Sequence, residues 1–168
     1  MRCINGPERG SGLRSKPFLD KDAFRAVVAA TPLASIDLIV ENAQGEILLG
    51  QRNNRPAAGF WFVPGGRIRK NEPLDEAFLR LTQEELGVHM PRSGARLLGV
   101  YEHMYEDSVF GDGVDTHYVV LGYQLRLDLP IADLPDAQHS GFRWWPRAEM
   151  AESALVHDNS RAYLAALA

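Results

Sequence analysis

The sequence predicts a single α+β domain in which helices pack on a mixed β-sheet. Three observations lead there. β-rich runs and helical segments fill the chain but do not alternate regularly, which argues against a doubly wound parallel fold. The stretch "SIDLIVENAQGEILLGQR" holds two β-rich runs around a Gly-containing turn, which predicts a hairpin. The strand-like "GFWFVPGG" runs directly into a glycine pair and an amphipathic helix, so a loop joins sheet to helix there. A chain of 168 residues fits one domain, large enough to bury a core without disulfides or structural metals.

From the N-terminus, Met1 to about Lys16 is rich in Gly and basic residues without periodicity and reads as a flexible tail; residues 17–168 form the domain. "DKDAFRAVVAATP" carries an Asp20 cap, apolar residues at helical spacing and a Pro32 stop, hence a short helix. After the hairpin and "GFWFVPGG", Pro73 suits the first turn of a helix whose apolar stripe is Leu74, Ala77, Phe78 and Leu81. "ARLLGVYEHMYE" and "THYVVLGYQLRL" are further strands, and "FRWW" a short one. Gln138 and His139 fall in a Pro- and Asp-bearing segment that reads as a loop, while "PRAEMAES" and "SRAYLAALA" read as closing helices.

Composition narrows the function. With 45% apolar and 24% charged residues this is an ordinary globular chain. No apolar run approaches a membrane span, and the N-terminus lacks the apolar stretch of a signal peptide. Cys3 is the single cysteine and cannot form an internal disulfide, so a cytoplasmic setting is expected. A net charge of −4 argues against broad binding of nucleic acid. An anionic substrate would need a local arginine cluster or a metal.

One residue breaks the pattern. Continued along the helix, the apolar stripe of 74–81 meets Glu85, which falls in angle between Phe78 and Leu81. A buried carboxylate is costly unless a cation or good donors compensate it. Arg80 is the local cation, but its neighbours one turn away are Glu76 and Glu84. Either the last turn frays and Glu85 reaches water, or Glu85 serves a cation. Gly65 and Gly66 favour the second reading, because a carbonyl from a glycine loop and a helix carboxylate together suit magnesium with water and phosphate.

The register Gly66, Glu72, Arg80, Glu84, Glu85, Gly87, Val88 resembles the Nudix box. The resemblance implies an α/β/α sandwich with a mixed sheet and a loop–helix–loop element that holds magnesium against a diphosphate. The box departs from the family pattern at Leu81 and Thr82, where the family has glutamate then an aliphatic residue. Leu81 shares the face of Glu85, so one carboxylate is missing from the metal cluster. "FLDKDAF", "TPLASIDLIVEN", "NRPAAGFWFVPGGRIRKNE", "AFLRLTQEELG", "THYVVLG", "PDAQHSGFRWW" and "NSRAYL" together resemble the GDP-mannose mannosyl hydrolase branch of the family, which lacks the same glutamate. That branch hydrolyses GDP-mannose, and to some extent GDP-glucose, by water attack at the anomeric carbon, leaving the diphosphate intact.

The resemblance implies site roles, each beside a plainer one. Magnesium (or manganese) would be held by the Gly65 carbonyl, Glu85 and Gln138, with Glu84 either a spare carboxylate or simply paired with Arg80. Glu72 and Arg80 would brace the box by a charge-assisted bond. Arg52 and Arg67 would stabilise departing GDP, although arginines are often just solvated. Tyr118 would donate to a phosphate oxygen or simply be a core tyrosine with a wet tip. Asp37 and His103 would line the site near the sugar, or be polar-face residues of half-buried strands. His139 would be the general base, or a surface histidine. Phe18 and Phe24, with Leu19 nearby, would stack on guanine or pack the first helix. A homodimer is also implied. Two other functions compete: a pyrophosphatase cleaving a nucleotide sugar between its phosphates, and a non-catalytic nucleotide-binding regulator.

Overall fold

A computed structural model describes residues 19–135 and 139–167. The expected tail, Phe18 and Gln138 lie outside these. Helix α1 (Lys21–Ala30) starts where Asp20 accepts a hydrogen bond from the Ala23 N–H at 2.8 Å, satisfying a donor the first turn leaves open. The strands are β1 (Leu33–Glu41), β2 (Ile47–Arg52), β3 (Trp61–Phe62), β4 (Gly65–Arg67), β5 (Arg96–Ser108), β6 (Gly111–Arg126) and β7 (His139–Trp145). Helix α2 (Leu74–Leu86) lies between β4 and β5, and α3 (Arg147–Glu152) and α4 (Asp158–Arg161) follow β7. Among the described residues no helix is long and apolar enough to cross a membrane.

The sheet runs β3-β2-β1-β6-β5, with β4 also on β1 and β7 also on β2. It is mixed, as expected: β1 and β6 are parallel from Leu33 opposite Tyr118 to Glu41 opposite Arg126, while β5 and β6 are antiparallel. The hairpin differs from expectation. β1 and β2 are paired at their turn, Glu41 opposite Ile47, and then part. β2 takes β7 as partner from Ile47 opposite Trp145 to Arg52 opposite His139, and β1 takes β4, setting Asp37 opposite Gly65. "GFWFVPGG" is accordingly two short strands on different partners. Pro64, which has no N–H for a ladder, sits between them and accepts from the Leu38 N–H at 2.8 Å.

Alternation along β1 sends its two faces to different layers. Ile36, Leu38 and Val40 pack with Ala77, Phe78, Leu81 and Leu86 of α2. Ile39 joins Ile47, Leu49, Trp145, Met150 and Tyr163 under the C-terminal helices. The result is the expected α/β/α sandwich, with α1 capping a smaller cluster of Val28, Leu33 and Val114. The segment "SRAYLAALA" is not one α-helix: α4 gives way to a 3₁₀ turn at Ala162–Ala166. Arg147 donates to the Leu167 carbonyl at 2.8 Å and to Glu41 at 2.5 Å, and Arg96 donates to the Ala166 carbonyl at 3.1 Å, so this last segment is tied to the sheet.

In α2 the buried stripe is Ala77, Phe78, Leu81, Thr82, Glu85 and Leu86; Leu74, in the first turn, is 39% exposed. Arg80 anchors the preceding loop. Its Nε and Nη2 donate to Glu72 at 2.6 and 2.8 Å, Nη1 to Glu84 at 2.8 Å, and Nη2 also to the Arg67 carbonyl at 2.9 Å. The bonds from Arg80 hold the Glu72 carboxyl below its usual range. Glu76 takes no part in these contacts. Arg80→Ala leaves the Glu72 carboxylate, whose side chain is 8% exposed, with the Arg69 N–H at 2.8 Å but without its paired cation, and is expected to cost about 2 kcal/mol in urea unfolding, with Arg80→Lys recovering part of it.

Candidate active site

Where β1 and β2 part, a narrow cleft opens along the sheet. It is lined by Ser35 and Asp37 of β1, Arg52 of β2, Phe62 and Val63, Gly65 to Arg67 of β4, His103 and Tyr105 of β5, and Tyr118 of β6. Asp37, Arg52, Gly65, Arg67, His103 and Tyr118, scattered through the sequence, thus meet at one place. Leu19 is 51% exposed at the foot of α1 and does not line the cleft.

The two arginines are held by aromatic rings. The Arg52 guanidinium lies 4.6 Å from the Phe62 ring centroid and donates to the Pro56 carbonyl at 3.0 Å. That of Arg67 lies 4.0 Å from the centroid of Phe24, so α1 backs the cleft through this stacking. Burial pulls Arg67 below its ordinary value, partly offset by Tyr118. Burial pushes Tyr118 up, so its hydroxyl keeps its proton and can donate.

On the buried face of α2, Glu85 is 2% exposed, which excludes a frayed end bending out to water. Its Oε2 lies 3.4 Å from His139 Nε2. His139 is not in a loop: it is the first residue of β7, buried, with its ring over Gly50, where a Cβ would come within 2.5 Å of Nδ1. The glycine inside "ILLGQR" signals a close approach of this kind in the sequence itself, though not which residue approaches. Gly66 is packed similarly, since a Cβ there would come within 2.6 Å of the Leu81 side chain. At Gly65 a Cβ would meet the Ile36 carbonyl at 2.5 Å and Asp37 Oδ1 at 2.8 Å.

This donor set fits a hard divalent ion of modest intrinsic affinity. A buried carboxylate and a glycine carbonyl are oxygen ligands of the right type, and the charge of Glu85 is felt at Asp37, where it helps to raise that carboxyl. Among the described residues no group of three or more His, Cys, Asp or Glu is arranged to hold a metal. Glu84 is occupied by Arg80 and, at 3.2 Å, by Arg69.

Tyr163, which the sequence marked only as a residue of a closing helix, reaches the cleft from beneath. Its hydroxyl donates to Asp37 Oδ2 at 2.8 Å and lies 3.4 Å from His103 Nε2. Burial raises Asp37 from 3.8 to about 6, with Tyr163 and Arg52 pulling it back and Glu85 adding to the rise. Burial lowers His103 from 6.5 to about 4, aided by His157 and Arg52. A carboxyl raised in the folded state favours folding at low pH and loses that contribution as pH rises to about 6. A histidine lowered in the folded state favours folding above its unfolded value and loses that contribution as pH falls to about 4. Between these limits the two oppose each other, because unfolding moves one proton from Asp37 to His103. Relative to the parent chain in EDTA, Asp37→Asn should therefore lose stability as pH falls from about 6 to about 4, and His103→Gln should gain it, in urea unfolding at each pH.

The NUDIX domain family profile matches residues 31–167. Over 120 residues the chain is 42% identical to the low-salt glycan biosynthesis protein Agl8 of Haloferax volcanii, a match covering 71% of this chain and 74% of that protein. Over 104 residues it is 39% identical to ADP-ribose pyrophosphatase of Methanocaldococcus jannaschii, covering 59% of this chain and 60% of that one. Among solved structures it is similar to a MutT NUDIX hydrolase from Burkholderia pseudomallei, with a TM-score of 0.64 and 26% identity over 82% of this chain and 99% of that one. A likeness of fold alone extends to the NUDIX domain of Shewanella oneidensis NrtR, crystallised with ADP ribose, at a TM-score of 0.61 and 24% identity over 88% and 90% of the two chains.

Proposed function

The chain belongs to the Nudix family, and from that premise we propose that it hydrolyses GDP-mannose to GDP and free sugar, with water attacking the anomeric carbon. The observation that carries this reading is Leu81. It is 2% exposed and packs directly on Gly66, so an apolar side chain stands where the box pattern has a carboxylate. Attack at phosphorus generally calls for more metal-borne charge at the reacting group than one helix carboxylate gathers. Departure of an intact diphosphate asks for less, namely positive charge along its length.

In this reading the Gly65 carbonyl, Glu85 and Gln138 hold magnesium or manganese, which when bound supplies charge against the diphosphate. Arg52 and Arg67, fixed over Phe62 and Phe24, bind phosphate oxygens, and Tyr118 donates to another. Asp37 and His103 lie at the sugar end. His139 takes the proton of the attacking water, and it must first exchange its contact with Glu85 for that water. Phe18 and Phe24 contact the base, and the functional unit is a homodimer.

The similarity to a protein named ADP-ribose pyrophosphatase favours a second reading, cleavage of a nucleotide sugar between its phosphates. Reaction of GDP-mannose in oxygen-18 water separates the two. Label in the sugar, with GDP as the other product and β-mannose formed first from the α-linked substrate, is expected; label in phosphate would refute attack at carbon. Glu85→Gln is expected to raise the magnesium concentration needed for half-maximal turnover by at least ~10-fold, and to weaken manganese binding by titration calorimetry to match.

A further inference from the structure

The ring of Tyr163 has little freedom. It is fully buried, lies edge-on to Tyr101 with centroids 4.6 Å apart, and fills the space that a Cβ at Gly122 would need, 2.8 Å from its Cε1. Its hydroxyl is thereby delivered to the underside of the cleft, between Asp37 and His103. We infer that Tyr163 is a positioning residue: its hydroxyl sets the hydrogen-bond roles of Asp37 and His103 so that the two present paired acceptors to a hydroxyl of the glycosyl group.

The inference is a count of protons. A hydroxyl has one proton to give. Burial and the neighbouring Asp37 push the Tyr163 hydroxyl far above its usual value, so it keeps that proton at neutral pH. It gives the proton to Asp37 Oδ2 at 2.8 Å. Its oxygen can then only accept from His103 Nε2, 3.4 Å away. His103 is neutral at that pH, being lowered to about 4, so it carries a single N–H. That proton belongs on Nε2, and Nδ1 keeps its lone pair.

Nδ1 stands 4.0 Å from the same carboxylate oxygen of Asp37. Two acceptors side by side do not satisfy each other; they take a donor from outside. Both residues line the cleft beside Arg52. Diphosphate oxygens bring acceptors and go to the arginines, whereas a sugar hydroxyl brings a donor. Without the Tyr163 hydroxyl, His103 would place its proton on Nδ1 and donate it to Asp37, closing the pair to ligand. The glycosyl part of this inference rests on the nucleotide-sugar reading above.

Long-range nitrogen-15 NMR of the histidine rings, on the metal-free full chain at neutral pH, tests the roles without substrate. His103 should be the Nε2–H tautomer in the parent chain and shift towards Nδ1–H in Tyr163→Phe. The same variant should raise KM for GDP-mannose by about 10-fold while leaving the Kd for GDP, which lacks the mannosyl group, unchanged. An Nδ1–H tautomer in the parent chain overturns the inference even if the variant does not fold. So does an unshifted tautomer in a folded variant, or an equal loss of affinity for GDP. If the tautomers behave as stated but no GDP-mannose is turned over, the proposed substrate fails and the roles assigned to Tyr163, Asp37 and His103 stand.

Discussion

A single guanidinium holds the working end of this molecule together. Arg80 reaches from the middle of α2 to Glu72 in the preceding loop, to Glu84 one turn along, and to the main chain of β4 at Arg67. A lysine could place one charge there, but not a planar fork that joins helix, loop and strand. Through this clasp the glycine pair, the Arg67 side chain and the buried face of α2 keep one relation. The donors of Arg80 are committed to these partners, while Glu85 has His139 Nε2 at 3.4 Å.

The second constraint is the parting of β1 from β2. An uninterrupted hairpin would have filled the sheet between these strands with main-chain hydrogen bonds. Instead Gly65 to Arg67 lie against β1 and His139 to Trp145 against β2. Groups that belong to different faces of the sandwich come within reach of one another at the opening. Glu85 arrives from the α2 layer, and Asp37 and Tyr163 belong to the opposite one, yet the charge of Glu85 is felt at Asp37. Three glycines make the approach possible: at 50, 65 and 66 a Cβ would collide with His139, with β1 or with Leu81.

What could be read from the sequence was whatever depends on neighbours in sequence. The cap at Asp20, the stripe of α2 and the misplaced Glu85 follow from periodicity or short spacing, the Glu72–Arg80 brace follows from the family resemblance, and all appear in the structure. What could not be read depends on distant partners. Nothing in "SRAYL" says that the Tyr163 hydroxyl meets Asp37 across 126 positions, and nothing in "FVPGG" says that a proline divides one strand between two neighbours. Pro135 and Asp136 make the sequence before His139 resemble a loop, but pairing with Arg52 overrides that local signal. The cleft was visible as a set of residue types, and its boundaries were not.

The parallel pairing of β1 with β6 bears on how the chain becomes active. Leu33 must find Tyr118, and Glu41 must find Arg126, across the whole of β2 to β5. Contacts that close so long a loop form late and slowly, whereas β5 and β6, joined by a tight turn, can assemble early. Asp37 and Arg52 sit on one side of that seam, and His103 and Tyr118 on the other. The cleft is therefore a product of the slow, long-range step of folding. A chain with its local elements formed but this seam open would show much of the native secondary structure and lack the cleft altogether.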